Sequence, residues 1–143
     1  FNINTTFLGR FFLSGYLNRM NERQLAWVQE GVNAYKKHVQ PVIGESKPFW
    51  PMGLPSWNDK VLALGLDAGD RALATVWSRD SEGGDVRLHL DRWAGRAGEV
   101  SAVYPVDGYA QWPVHWDAAS GELVVTVPSD GGYVSRTFEV NFN

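Results

Sequence analysis

The feature that most constrains the fold of this chain is a change in hydrophobic period about a third of the way along. Residues 7–39 have the pattern of one short apolar strand followed by one amphipathic helix, whereas residues 61–143 show the two-residue alternation of short strands. A single strand–helix unit cannot bury its own apolar faces, because a buried parallel strand needs a neighbour on each side. The sequence therefore predicts a mainly β chain whose first third belongs to a larger α/β architecture.

The first third contains the predicted strand and helix. The apolar run at residues 7–13 is short and aromatic, and Ser14-Gly15 ends it. Asn21 is predicted to cap the following helix, with Gln24 completing a capping box. An apolar stripe then recurs at three- and four-residue spacing and ends before Pro41, and its members are Leu25, Val28, Val32, Tyr35 and Val39.

The remaining sequence divides into a connector and a β region. Residues 40–60 are rich in proline yet too apolar for a free linker, so we predict an irregular strap lying across a domain junction. Residues 61–143 contain seven short alternating strands separated by turn residues, including those at 67–70, 81–85 and 130–132. This spacing predicts an antiparallel β-sandwich of the Greek-key type. Its expected core includes Leu64, Trp77, Leu88, Leu90, Val125 and Phe138.

Composition excludes several classes of function. The chain has no cysteine, which rules out a disulfide framework, a thiolate nucleophile and a Cys-ligated zinc. A net charge of −3 with both signs interspersed predicts no nucleic-acid or membrane partner. Carboxylates gather in predicted turns, where they bind local backbone, and His115 and Asp117 are too few to define a metal site. We therefore predict no cofactor and no metal ion, while the cellular compartment stays open.

The seven tryptophans support two interpretations. Large rings commonly fill a core, since each buries about 150–250 Å². Flat exposed indoles can instead stack on sugar rings, and Trp93, Trp112 and Trp116 are the best candidates for that role. Under the second interpretation, the chain is a non-catalytic carbohydrate-binding β-sandwich module.

Several segments, in order along the chain, resemble glycoside hydrolase family 36, the α-galactosidase group. Residues 8–15 are similar to the last strand of the family's catalytic (β/α)8 barrel, and the motifs between Arg19 and Lys36 are similar to the helix that follows. Three later segments, at residues 74–79, 103–105 and 136–140, resemble strands of the family's C-terminal β domain. The resemblance implies that residues 1–39 are the last barrel unit, that 40–60 connect, and that 61–143 form the C-terminal sandwich.

The resemblance also implies a retaining parent enzyme that hydrolyses terminal α-galactosides with two carboxylates. In the family these lie on the fourth and sixth barrel strands, and no residue of this chain matches either one. We therefore assign no catalytic residue, and we expect the chain to be structural and inactive alone. Barrel active sites form at the C-terminal ends of strands, so Ser14 and Gly15 are predicted to line one rim of the substrate pocket.

The first third also predicts how an isolated chain behaves. The chain opens at Phe1 without Met, which agrees with a fragment or a processed product. A strand with two unpaired edges and a helix with an apolar stripe both favour association. We expect the isolated chain either to self-associate through residues 7–39 or to fold its helix back onto its own sandwich.

Overall fold

The computed structural model describes residues 1–80, 82–129 and 132–143. Two predicted turns, at residues 81–85 and 130–132, fall partly outside the described residues. The helices are α1 (Asn2–Phe7) and α2 (Glu22–Ala34), and α2 continues as a π-helical turn over Tyr35–Val39. The strands are β1 (Lys47–Phe49), β2 (Val61–Asp67), β3 (Arg71–Arg79), β4 (Gly84–His89), β5 (Gly98–Tyr104), β6 (Val114–Asp117), β7 (Glu122–Val127) and β8 (Tyr133–Phe142).

The strands form two antiparallel sheets, as the alternation from residue 61 onward predicts. One sheet has five strands in the order β1-β2-β3-β8-β5, and the other has three in the order β4-β7-β6. The connections β3–β4, β4–β5, β5–β6 and β7–β8 each pass from one sheet to the other. The described chain is therefore mainly β, with the two-sheet architecture of a β-sandwich.

The connector contributes an edge strand that its proline content concealed. Strand β1 pairs with β2 through Pro48 opposite Leu66, at the end of the five-stranded sheet. Proline is tolerated there because an edge strand has one side on which no ladder hydrogen bond is required. The rest of the connector, residues 40–46 and 50–60, contains no strand or helix.

The space between the two sheets is filled by a continuous apolar core. Five of the six residues predicted for the core are buried, and Leu64 is half-buried. Leu64 and Trp77, however, do not belong to the cluster between the sheets. In β2 it is Ala63 that points inward, so Leu64 and Leu66 lie on the opposite face of the sheet. The prediction of a core between the sheets is thus wrong for Leu64 and Trp77. Leu64 lies on the opposite face of the sheet, which is also covered.

The second covered face is packed against the N-terminal helices. A separate apolar cluster joins α1, the end of α2 and the outer face of the five-stranded sheet, and its buried members are Phe7, Leu8, Val39, Leu66, Leu73, Val103 and Tyr104. The fold thus has three layers: helices, a five-stranded sheet and a three-stranded sheet. The helix thus packs on the chain's own sandwich, which is one of the two arrangements expected for an isolated chain.

The strand predicted over residues 7–13 is not formed. Phe7 ends helix α1, and residues 10–13 have no regular structure. A parallel strand needs partners on both sides, and no described strand pairs with this segment. Phe7 and Leu8 instead bury their side chains in the helix–sheet cluster.

Helix α2 begins as predicted, but only the C-terminal end of its predicted apolar stripe packs in the helix–sheet cluster. Asn21 Oδ1 accepts from the Gln24 backbone N–H at 2.9 Å, and Gln24 Oε1 accepts from the Asn21 N–H at 3.0 Å, which completes the capping box. Leu25, at the start of the predicted stripe, is 43% exposed. Tyr35 and Val39, the last two members of the predicted stripe, pack in the helix–sheet cluster. The other contacts of the helix with the sheet and with the loop after β5 come from Trp27, Glu30, Gly31, Ala34 and His38.

Gly31 explains this orientation of the helix. A Cβ at this position would lie 2.9 Å from Ile3 Cγ2 and 3.4 Å from the Tyr104 ring. Glycine costs about 1 kcal/mol of helix propensity relative to alanine. Here it permits close approach of α2 to both α1 and β5, and packing holds the helix in place.

Candidate functional site

The two residues predicted for a substrate rim lie in an exposed, irregular segment. Gly15 has φ +130°, a conformation that favours glycine, and its carbonyl accepts from the Leu17 N–H at 3.2 Å. Ser14 lines a cavity of about 420 Å³ together with apolar residues, among them Phe12, Leu13, Leu17 and Val28. No carboxylate is among the described residues that line this cavity. The structure therefore places Ser14 beside an apolar surface.

Two of the three tryptophans proposed for sugar stacking are buried. Trp93 is 2% exposed, donates from Nε1 to the Gly69 carbonyl at 2.9 Å, and stacks on Phe142 with ring centroids 5.0 Å apart. Trp112 is 6% exposed and packs against Phe138. In this conformation neither indole presents a face to solvent. Both residues serve the core, because the space between the sheets needs large rings.

Trp116 is half-buried, and its ring is also engaged. It meets the Phe142 ring edge-on at 5.1 Å, and its Nε1 donates to the Arg96 carbonyl at 2.9 Å. The exposed tryptophans come instead from the connector, where Trp50 is 44% and Trp57 is 91% exposed. Sequence alone did not single out this pair as surface residues.

The turn that carries Trp57 is held by several hydrogen bonds. Asp59 accepts from the Ser56 backbone N–H at 2.6 Å and from the Ser56 hydroxyl at 2.7 Å, and these bonds lower the pKa of the Asp59 carboxyl. Arg79 donates to the Trp57 carbonyl at 2.9 Å and to the Asp59 carbonyl. The backbone of this turn is therefore well braced, while the Trp57 indole remains in solvent.

The carboxylates that cluster in turns serve local roles, as predicted. Asp67 accepts from the Gly69 N–H at 3.0 Å and pairs with Arg92, and Asp70 pairs with Arg96 at 3.2 Å. Asp117 accepts from Ser120 and Ala119, and the Ser120 hydrogen bonds, ahead of that from Ala119, lower the pKa of the Asp117 carboxyl. No group of three or more potential metal ligands occurs among the described residues.

Several aromatic side chains line a cavity of about 320 Å³ between α1, α2, the loop after β5 and the start of β8. We call it the aromatic cavity. Its walls include Phe1, Trp27, Tyr104, Tyr109 and Tyr133. The Trp27 and Tyr109 rings are 5.7 Å apart, and the Phe1 and Tyr133 rings meet edge-on at 5.6 Å.

Arg136 supplies a cation to this cavity. The side chain is buried, and its guanidinium lies 5.1 Å from the ring centroids of both Tyr109 and Trp112. It donates to the Ser135 carbonyl at 2.9 Å and to the Ala110 carbonyl at 3.1 Å. Two rings and two carbonyls thus hold the guanidinium in one orientation.

Tyr104 closes the cavity on the side of the helix. Its hydroxyl donates to the Trp27 carbonyl at 3.1 Å, and burial, followed by the nearby Glu30 charge, raises the pKa of the Tyr104 phenol. Glu30 in turn accepts from the Val106 and Asp107 N–H groups and so ties α2 to the loop after β5. The hydrogen bonds that fix α2 therefore also shape the cavity.

Sequence reasoning missed this cavity because its residues come from four separate segments. One signal was present in the sequence. Arg136 lies on the inward face of β8, the same face as Val134, Phe138 and Val140. A charged residue at an inward position of a strand indicates a specific partner or a lined cavity.

Comparisons of the chain with protein-family models, with curated proteins and with solved structures found no match. Among the described residues, no helix is long and apolar enough to cross a membrane.

Proposed function

We propose that this chain is the C-terminal segment of an α-galactosidase-like glycoside hydrolase. The parent would be a retaining enzyme acting on terminal α-galactosides, and this segment would be structural, without the catalytic carboxylates. Residues 1–39 would be the last strand–helix unit of its (β/α)8 barrel, residues 40–60 the connector, and residues 61–143 the C-terminal sandwich. The order of the family-like segments along the chain suggests this proposal, and one structural observation carries it.

That observation is the unused apolar side of the N-terminal layer. Helix α2 packs one face on the sheet, yet Leu25 remains 43% exposed on its other side. The segment that precedes α2 exposes further apolar residues, namely Phe12 at 65%, Leu13 at 41% and Leu17 at 37%. An exposed apolar patch of this kind marks an interaction site, and a barrel would supply strands on both sides of residues 7–13.

The strand order supports the same proposal for the second half. Strand β8 lies between β3 and β5, and most connections pass between the sheets, which fits a Greek-key arrangement. Such a sandwich would follow the barrel directly, with the connector crossing the junction.

The experiment compares this chain with a version extended upstream by its own coding sequence. The extended protein should hydrolyse an aryl α-galactoside, whereas the 143-residue chain should give only the blank rate. In the extended protein, Leu25→Asp should lower the melting temperature, while the matched change Leu54→Asp at an 81% exposed connector residue should not. An extended protein without hydrolysis, or one indifferent to Leu25→Asp, would contradict the proposal.

A second candidate function is a carbohydrate-binding module. The tryptophans first considered for it are packed inside the fold, so the function would need another surface. The aromatic cavity is the observation that favours it, because tyrosine and tryptophan rings line a concave surface together with polar side chains. Binding of sugar to the isolated chain is its direct test.

A further inference from the structure

We propose that the apolar cavity beside Ser14 docks a polypeptide segment of a partner protein, and that this segment carries carboxylates beside its apolar side chains. The cavity and the three arginines around it, Arg10, Arg19 and Arg23, are called the arginine-bordered groove. The inference goes beyond the proposed function, because it names the chemistry of the covering segment and holds for a partner other than the parent barrel.

The three arginines of the groove differ from the other six in the chain. Every arginine after residue 70 pairs with a carboxylate or donates to a backbone carbonyl, and these residues are Arg71, Arg79, Arg87, Arg92, Arg96 and Arg136. Within the part of the chain that the structure describes, Arg10, Arg19 and Arg23 have no ion pair and no side-chain hydrogen bond, and all three are exposed. A guanidinium has five N–H donors, and a carboxylate can accept from two of them at once. The unused donors therefore favour an anionic partner.

Two of these arginines lie on rings that line the cavity. Arg10 Cζ is 6.0 Å from the centroid of the Phe12 ring, and Arg23 Cζ is 4.9 Å from that of the Trp27 ring. Phe12 and Trp27 both belong to the cavity lining. Arginine stacks on an aromatic ring through its flat face, which leaves its N–H groups free to bind a carboxylate. The rings thus hold these two cations beside the apolar surface.

The charge around the cavity is opposite in sign to that of the whole chain. Residues 10–29 contain three arginines and one glutamate, whereas the chain has a net charge of −3. Arg19 extends the cationic border, because it lies 4.2 Å from the Tyr16 ring and Tyr16 directly precedes the lining residue Leu17. No charged residue is among the described residues that line the cavity of about 420 Å³. An apolar floor with cations around it is complementary to apolar side chains with carboxylates around them.

The backbone beside the groove favours a polypeptide over other anionic partners. Residues 10–14 lie in no helix or strand, and their N–H and C=O groups make no hydrogen bond within the described chain. A partner segment can pair with these groups through its own main chain, as in strand addition. A lipid surface would cover them without replacing their hydrogen bonds with water. A small carboxylic acid would satisfy only one of the three arginines.

The test is a calorimetric titration of the 143-residue chain with two acetylated and amidated peptides. One peptide has the sequence EVEFEVEFE, and the other, KVKFKVKFK, has the same apolar residues with the opposite charge. The acidic peptide should bind saturably, and the basic one at least about tenfold more weakly, because it places cations against the arginines. Raising NaCl from about 0.05 M to about 0.5 M should weaken the binding of the acidic peptide. Hydrogen exchange at the Phe11, Phe12 and Leu13 amides should slow when it binds.

Charge variants distinguish the groove from a general attraction between opposite charges. The triple variant Arg10→Gln, Arg19→Gln, Arg23→Gln should weaken binding of the acidic peptide at least about tenfold. The control is Lys36→Gln, Lys37→Gln, which removes two exposed cations of the same helical layer outside the groove and should change the affinity less than about twofold. Because every changed side chain is exposed, both variants should keep the melting temperature of the unmutated chain.

An apolar variant tests the floor of the groove. Phe12 is 65% exposed and lines the cavity, so Phe12→Ser should leave the fold intact and weaken binding of the acidic peptide at least about fivefold. Leu54→Ser, at an 81% exposed residue of the connector, should leave the affinity unchanged.

Several outcomes would overturn the proposal. These are no binding of the acidic peptide, equal affinity for both peptides, or binding that the triple arginine variant leaves unchanged. Binding unaffected by Phe12→Ser would also overturn it, because charge alone would then be recognised. Binding to vesicles that contain phosphatidylserine, without binding of the acidic peptide, would identify a membrane surface instead. Hydrolysis of an α-galactoside by the extended protein decides the proposed function separately.

Discussion

Thr137 on the last strand donates a hydrogen bond of 2.9 Å from its hydroxyl to Asn4 Oδ1 on the first helix, although 133 residues separate them. Asn4 Nδ2 also donates to the Ser135 hydroxyl at 2.8 Å, and Thr137 lies 2.7 Å from the Thr75 hydroxyl. All four side chains are buried. A continuous chain of polar side chains therefore joins α1 to two central strands.

Replacing Asn4 with alanine should expose how much this chain contributes. Asn4→Ala removes one hydrogen bond from each of the buried Ser135 and Thr137 hydroxyls, while Thr137 keeps its bond to Thr75, so the free energy of unfolding should fall by about 1–3 kcal/mol. Asn2→Ala is the control, because Asn2 lies in the same helix but is exposed. Urea unfolding measures both, and equal losses in the two variants would show that α1 does not depend on the buried amide.

The core between the sheets predicts a larger effect at Leu88. This side chain is 0% exposed within the sandwich core, and Leu88→Ala should cost about 2–5 kcal/mol through lost burial and a residual cavity. Leu54→Ala, at an 81% exposed site, should change stability by less than about 0.5 kcal/mol. A loss below that level at Leu88 would show that the three-stranded sheet is not packed as described.

Glu139 is the buried charge that links helix, β3 and β8. Its carboxylate lies 2.5 Å from His38 Nδ1 and 2.9 Å from Arg71 Nη1, and its side chain is 4% exposed. Removing one partner of a buried pair typically costs about 3–5 kcal/mol, and Glu139→Gln should approach but not exceed this, because Arg71 is partly exposed.

The control for Glu139 is a pair at the surface. Asp70 is 89% exposed in its pair with Arg96, so Asp70→Asn should cost less than about 1 kcal/mol. Thermal and urea unfolding of both variants should rank them clearly. A Glu139→Gln protein as stable as the unmutated chain would mean that the charge contributes nothing to holding the helical layer.

Tyr104 predicts a loss of stability at alkaline pH. The pKa of its phenol is raised above the ordinary value of 10.0, chiefly by burial, so the folded protein keeps the proton when the unfolded chain has released it. Above pH 10 the unfolded state therefore binds fewer protons than the folded state, and the free energy of unfolding falls as pH rises.

The slope of stability against pH distinguishes this effect from a general one. Tyr104→Phe should be less stable near neutrality, through loss of the bond to the Trp27 carbonyl, but its stability should fall less steeply above pH 10. Tyr16→Phe, at a 69% exposed site, should keep the slope of the unmutated chain. Identical slopes for the Tyr104 variant and the unmutated protein would contradict the role of this phenol.

The exposed apolar patch predicts self-association of the isolated chain. Phe12 and Leu25 are 65% and 43% exposed, and burying them against a second copy is favourable. Sedimentation velocity should show a mass that rises with concentration, and the double variant Phe12→Ser, Leu25→Ser should remain a monomer with little change in melting temperature. A monomeric unmutated chain at every concentration would refute this prediction.

The elements predicted correctly are those whose signal is local. The capping box at Asn21 and Gln24 lies within four residues. The alternation after Val61 is also local, because successive side chains of a strand point to opposite faces of the sheet. The failures depend on contacts between distant segments. Residues 7–13 have strand composition but no strand partners, and the buried side of α2 is set by Gly31 meeting Ile3 and Tyr104.

The candidate site shows the same division. A count of tryptophans cannot tell a core ring from a surface ring, because Trp93 and Trp57 differ only in what the rest of the chain places around them. Arg136 was visible in the sequence as one residue of a β motif. Its position between Tyr109 and Trp112 arises only when the loop after β5 folds over the end of β8.

The helical layer over the five-stranded sheet decides where this chain can be cut. Removal of residues 1–60 would uncover Leu66, Leu73 and Val103. One face of the five-stranded sheet would then be a broad exposed apolar surface. A gene fusion or a crystallisation fragment limited to the strands should therefore precipitate, whereas one that retains the first 39 residues should stay in solution. We therefore expect the helices and the two sheets to be transferable between proteins only together, and not residues 61–143 alone.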